Sequence, residues 1–267
     1  MYVNFKLIAS DLDDTLLDSR GIISPRTKEA IKRAREKGVY VTLATGRMYR
    51  SAVCFAEELE IDVPLITYQG ALVKTSTTKE VMYHRPVPLE LARQVIAHGE
   101  EKGLTVNLYV EDSLFVSKLT PDAERYAKGA RVPIEAVGDL QKFLDQEPTK
   151  VLLIGNEKIL EPFWAEEKEG FGDALYITKS KPYFLEYTHP QATKEQGLMA
   201  VARHLGVARE EIIAFGDNYN DIDLLRYAGF GVAMSNAPDQ VKKEADYVTV
   251  SNNEEGVAEA IEKFVLS

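Results

Sequence analysis

Between residues 6 and 68, three short apolar runs, KLIAS (6–10), VYVTLAT (39–45) and PLITY (64–68), alternate with two helical patterns. Runs this short and this uniformly apolar read as strands buried on both faces, the kind found inside parallel sheets. The first intervening helix is bounded by Ser24 as N-cap, Pro25 at the first helical position and Gly38 as its stop. A second helix is expected near 48–59. Strand, helix, strand, helix, strand implies right-handed crossovers and a parallel sheet. The same rhythm returns late in the chain. A helix over 194–205 ends at Gly206, and EEIIAFGD, NDIDLLRYAG, FGVAMSN, PDQVKKEA, DYVTVSN and EEGVAEAIEKF follow as alternating strands and helices.

The middle of the chain reads differently. Segments 71–84 and 104–118 have the pattern of strand pairs around short polar turns, with Glu111–Asp112 at the tip of the second. Helices near 88–102, 121–130 and 157–169, with strands at 150–154, 174–178 and 183–187, make this an α+β module on an antiparallel sheet. The expected class is therefore α/β, a parallel-sheet core split by an inserted domain. The core is expected at 1–83 and 189–267 and the insert at 84–188, an ordinary domain size.

Charge and cysteine narrow the field. A net charge of −10 over 267 residues weighs against nucleic acid or an anionic membrane as the main partner. A small anionic ligand stays open, because a local site can oppose the global charge. The single cysteine, Cys54, excludes an internal disulfide and a cysteine-based zinc cluster, and its place in a helix reads as a small buried hydrophobe. No apolar run approaches the roughly 20 residues of a membrane span, and MYVNFKLIAS lacks the pattern of a leader, so a cytoplasmic location is expected.

Ligands of parallel sheets sit beyond the carboxyl ends of the strands. Three polar clusters fall there: Asp11-Leu-Asp-Asp-Thr15, Thr45-Gly-Arg47 and Gly216-Asp-Asn-Tyr-Asn-Asp221. Asp11 and Asp13 are two apart and share a side wherever extended backbone persists. Asp217 and Asp221 form a second acidic group. Carboxylates without Cys or clustered His favour a hard cation, and Mg2+ needs only one or two of them plus phosphate and water. A calcium loop starting at Asp11 fails, because Leu16 and Ile22 stand where Gly and Glu belong. Lys194, opening a helix, supplies a cation, and Thr45 and Gly46 supply donors for phosphate oxygens. A carboxylate nucleophile, a second carboxyl group, a metal and a lysine together suit phosphoryl transfer.

In these motifs, DLDDTL, TLATGR, a lysine before a helix, GDNYNDIDLL, GVAMSNA and the ending EADYVTVSNNEEGVAEAI, the chain resembles the Cof-type phosphatases of the haloacid dehalogenase-like hydrolases. The resemblance covers almost the whole chain. It implies a Rossmann-like core with an inserted cap that closes over the phosphate site. It implies Asp11 as nucleophile, forming an aspartyl-phosphate, and Asp13 as general acid and then general base. Mg2+ would be held by the Asp11 carboxylate, the Asp13 carbonyl and Asp217, with Asp221 as a further ligand or a supporting partner. Thr45, Gly46, Lys194, Asn220 and the Leu12 backbone would bind the phosphate, and Arg47 would either reach substrate or form a structural ion pair. Asp14, often Gly in the family, reads as turn chemistry.

Two positions depart from the family pattern. Gln69 stands where Asn is usual, and Glu195 where a Gly often follows the lysine. Both bear on substrate preference rather than on the chemistry. The expected activity is Mg2+-dependent hydrolysis of small phosphorylated metabolites, such as sugar phosphates or phosphorylated cofactors. A phosphomutase or phosphotransferase shares the same intermediate, and a metabolite-binding protein of the same fold is the non-enzymatic alternative. Oligomeric state has no signature in the sequence.

Overall fold

The first apolar run supplies a strand shielded from water, β1 (Leu7–Ser10), buried at all of its positions. The computed structural model describes residues 4–267. They form two compact units, one of 4–46, 52–83 and 193–267, the other of 47–51 and 84–192.

In the first unit, α1 (Pro25–Glu36) starts where the Ser24 hydroxyl accepts the Thr27 N–H at 3.1 Å. It buries Thr27, Ala30, Ile31 and Ala34, positions spaced to make one face. Then come β2 (Tyr40–Leu43), α2 (Tyr49–Glu58), β3 (Pro64–Thr67), β4 (Leu72–Thr75) and β5 (Val81–His84), of which the start of α2 and the last residue of β5 group with the second unit. Cys54 on α2 is exposed, so the expectation of a buried thiol is corrected. Tyr68, expected to end the third strand, instead turns left-handed at φ 52°. The chain must reverse there, because Thr67 pairs with Leu72 in an antiparallel hairpin.

The second unit contains α3 (Leu89–Glu101), β6 (Thr105–Val110), β7 (Ser113–Val116), α4 (Pro121–Ala130), β8 (Ile134–Ala136), α5 (Leu140–Phe143), β9 (Lys150–Ile154), α6 (Glu157–Phe171), β10 (Tyr176–Lys181) and β11 (Phe184–Thr188). Its sheet runs β10-β11-β9-β6-β7-β8. Glu111 and Asp112 form the expected turn between β6 and β7, both at positive φ. The sheet departs from the antiparallel expectation at one edge, where β7 and β8 pair parallel. There α4, rather than a tight turn, joins the two strands, and a crossover returns the chain in the same direction. One face of the sheet, with Val106, Leu108, Val151, Leu153 and Leu185, belongs to an apolar core shared with α3 and α6.

The chain re-enters the first unit through α7 (Lys194–Leu205), β12 (Ile212–Gly216), α8 (Ile222–Tyr227), β13 (Phe230–Ala233), α9 (Asp239–Lys242), β14 (Tyr247–Val248) and α10 (Gly256–Phe264). The resulting sheet has the order β14-β13-β12-β1-β2 with every neighbouring pair parallel. An Ala44–Ile66 parallel bridge leads on to β3. Ser10 pairs with Phe215 on one side and Leu43 on the other. That register brings Asp11, Thr45 and Asp217 to one edge of the sheet, although they lie far apart in sequence. No described helix is long and apolar enough to cross a membrane.

Candidate active site

After β1 the backbone leaves the sheet through a wide turn, Leu12–Leu16, closed by the Leu17 N–H on Leu12 O at 2.8 Å. Asp14 adopts φ 60°, the left-handed conformation that aspartate tolerates in turns. Asp11 is 6% exposed, whereas Asp13 is exposed. After β12, the loop 217–221 folds back so that Asp221 lies under the strand end. A Cβ on Gly216 would collide with the Asp221 side chain, so this glycine is what permits the close approach. The N–H groups of Asp217 and Asn218 both donate to Asp221 Oδ2, each at 2.9 Å.

Lys194 joins the two acidic groups. Thr193 caps α7 by accepting the Gln196 N–H, which sets Lys194 at the first helical position. Its ammonium, on a side chain 1% exposed, donates to Asp11 Oδ1 and to Asp221 Oδ1, both at 2.6 Å. Burial opposes the charge of Lys194, but the two carboxylates outweigh it and hold its pKa above the ordinary lysine value. Burial also pushes Asp11 well above the ordinary carboxylate range, against the pull of Lys194 and with the push of Asp221 and Asp217. Asp217 is raised to about 7, chiefly by burial, while a 2.6 Å hydrogen bond from Thr15 Oγ1 to its Oδ1 works the other way.

These residues fit a divalent cation. Carboxylate oxygens of Asp11, Asp217 and Asp221 lie within 4.8 Å of one another and all three residues are buried. Three carboxylates face one ammonium, which leaves two negative charges to balance when all are ionised. The oxygens differ in availability. Both Asp221 oxygens are engaged, by Lys194 and by two backbone N–H groups. Asp11 Oδ2 and Asp217 Oδ2 receive no hydrogen bond from a described residue, so they are the better placed ligand atoms. All the donors are oxygens, the set a hard cation takes.

Of the other expected residues, Leu12, Thr45, Gly46 and Asn220 lie on loops at the same edge of the sheet. Thr45 is 1% exposed, its N–H donating to Ile66 O and its carbonyl accepting from Gln69 N–H. Gly46 follows it, half-buried. Asn220 is half-buried and donates through Nδ2 to Gln69 Oε1 at 2.9 Å. The Leu12 side chain is wholly buried. Arg47 is half-buried and groups with the second unit.

Sequence reasoning missed three supports of the site. Thr15 orients Asp217. Asn236, after β13, donates from Nδ2 to Asp14 O at 2.9 Å, and Asn252 donates to Leu17 O and, through its backbone, to Asn236 Oδ1. These two asparagines hold the Leu12–Leu16 turn from the far side. The only signal for them was their place in MSNA and VSNN, where the resemblance extends but no charge marks a function.

The chain matches the haloacid dehalogenase-like hydrolase family over residues 8–261. It is 30% identical over 270 residues to a 5-amino-6-(5-phospho-D-ribitylamino)uracil phosphatase of Bacillus subtilis, covering 97% of each chain. A haloacid dehalogenase-like hydrolase from Bacteroides thetaiotaomicron superposes with a TM-score of 0.91 at 34% identity, over 97% of this chain and 99% of that one. A subclass IIB sugar phosphatase of the same superfamily superposes at 0.85 with 30% identity, over 98% of this chain and 100% of that one.

Proposed function

Because the chain belongs to the haloacid dehalogenase-like hydrolases, we propose that it is a Mg2+-dependent phosphatase of small phosphorylated metabolites working through an aspartyl-phosphate. Its relatives include a phosphatase of a phosphoribitylamino-uracil and a sugar phosphatase, and phosphate esters of that polyhydroxylated kind are the proposed substrates. The observation that carries the reading is the buried ammonium of Lys194 bound to Asp11 and Asp221 with Asp217 alongside.

In the proposed reaction an Asp11 carboxylate oxygen attacks phosphorus as the bond from phosphorus to the leaving oxygen breaks. Asp13 gives its proton to that oxygen. Asp13, now a carboxylate, takes a proton from water as the water oxygen attacks the phosphorus of the aspartyl-phosphate, releasing orthophosphate and restoring Asp11. Its exposure suits a group that exchanges protons with substrate and water. Lys194 fixes the Asp11 carboxylate and offers positive charge to the phosphoryl oxygens, as do the donors of Thr45, Gly46, the Leu12 backbone and Asn220. Mg2+, held by Asp11 and Asp217 with the Asp13 carbonyl, would supply the charge that keeps the buried carboxylates ionised and offsets that of the phosphoryl group. Asp221 acts as the support that orients Lys194 and the 217–221 loop. The choice of leaving group is assigned to the second unit, as the cap.

The test is phosphate release from an aryl phosphate, with Mg2+ and with chelator, in wild type and Asp11→Asn. The reading expects metal-dependent release that the substitution abolishes. Release that survives Asp11→Asn would remove the nucleophile assignment.

A further inference from the structure

The turn Tyr68–Gly70 passes through three consecutive left-handed residues, at φ 52°, 61° and 102°. Two of them carry side chains, and backbone held in that region clusters at ligand sites. Neighbours fix the turn on both sides. The Gln69 N–H donates to Thr45 O at 3.0 Å, and Gly70 packs against the Thr193 carbonyl at the start of α7.

This geometry places the Gln69 side chain, 6% exposed, between two residues assigned to the phosphate. Its Nε2 lies 2.5 Å from where a Cβ on Gly46 would stand, so it occupies the space that glycine leaves. Its Oε1 accepts from Asn220 Nδ2 at 2.9 Å. A single planar amide therefore bridges the ends of β2 and β12. The acceptor is used, while Nε2 has no acceptor among the described residues. The residue is largely buried, yet this nitrogen is not sealed from solvent, so it can donate to a group bound beside it. Beside Gly46 and Asn220, a phosphoryl oxygen is the partner of matching character.

We propose that Gln69 is a substrate-binding residue of this site: Nε2 donates to an oxygen of the phosphoryl group, while Oε1 holds the Asn220 amide nitrogen toward the same group. The assignment rests on the phosphatase reading and adds to it a donor from the position where the sequence departs from its family. Asn, one methylene shorter, would draw the amide back toward the position-69 backbone and away from Asn220.

The test compares wild type with Gln69→Leu, which removes both polar atoms, and Gln69→Glu, which keeps an acceptor for Asn220 but replaces the donor with a negative oxygen. Two quantities are read in Mg2+: the dissociation constant of inorganic phosphate by calorimetry, and KM for an aryl phosphate. Both are expected to rise about tenfold or more in Gln69→Leu and further in Gln69→Glu. That order places the Gln69 amide beside the phosphoryl group, because a residue that only positioned Asn220 from farther away would leave Gln69→Glu closer to wild type. Phosphate affinity within twofold of wild type in both variants overturns the proposal, and tighter binding by Gln69→Glu than by Gln69→Leu overturns donation from Nε2. If either variant fails to fold, Gln69→Asn, suited to left-handed backbone, is expected to weaken phosphate binding, and unchanged affinity there overturns the proposal. A folded wild type that neither binds phosphate nor releases it contradicts the phosphatase reading itself.

Discussion

Lys194 lies 2.6 Å from both Asp11 and Asp221, and around that ammonium each carboxylate has a different task. Both Asp221 oxygens are engaged, Asp11 keeps one oxygen with no hydrogen bond from a described residue, and Asp217 is oriented by Thr15. Groups that hold a metal-ligating side chain typically matter 10–100-fold in affinity. Thr15→Val is therefore expected to weaken Mg2+ binding by about that factor while the protein stays folded. Calorimetry with Mg2+ reads this, and an unchanged dissociation constant would deny Thr15 the role. The raised carboxylates also set a pH dependence. In the metal-free protein Asp217 titrates near 7 against an ordinary 3.8, and Asp11 is shifted the same way. Between those values the folded state keeps protons that the unfolded state has released, so stability falls as pH rises through the window. The unfolding temperature in chelator is expected to be lower at pH 7.5 than at pH 5.5, with Mg2+ narrowing the gap. A chelated protein equally stable at both would contradict the shifts.

At the scale of elements, each site residue stands where a strand ends or a helix begins. The N-cap of α7 is Thr193, whose side chain accepts the Gln196 N–H at 3.2 Å. Thr193→Ala is expected to cost about 1 kcal/mol of stability and to lower turnover by more than that loss of folded protein explains, because Lys194 is the next residue. Urea unfolding and steady-state rates separate the two effects, and normal turnover at reduced stability would show that the cap does not position the lysine. Much of this was legible in the sequence. Ser24, Pro25 and Gly38 bounded α1 because capping chemistry is local, and the strands preceding Asp11, Thr45 and Asp217 were short and mostly apolar. The left-handed Tyr68 and Gln69 were not legible. Neither residue type prefers that backbone, and it is imposed by the Thr67–Leu72 pairing and the contact with α7.

For the whole molecule, the parallel core could be read because its two halves keep one rhythm on either side of a differently patterned insert. The order of strands could not, since β1 lies between β12 and β2 and nothing local records pairing over some 200 residues. The same limit hid Thr15, Asn236 and Asn252, uncharged residues whose partners are distant in sequence. A metal bound only by the folded chain stabilises it by mass action, about 2.7 kcal/mol at one hundred times its dissociation constant. Mg2+ is thus expected to raise the unfolding temperature of the wild type and to raise that of Asp217→Asn far less; an equal rise in both would remove Asp217 from the metal site. The central claim is that phosphate passes through Asp11. It is tested most directly by incubating the protein with Mg2+ and a 32P-labelled phosphate ester, quenching in acid and mapping the label. The account predicts label on the peptide containing Asp11 and none on Asp11→Asn. Turnover by a wild type that carries no label at Asp11 at any quench time, or label on another residue, would contradict it.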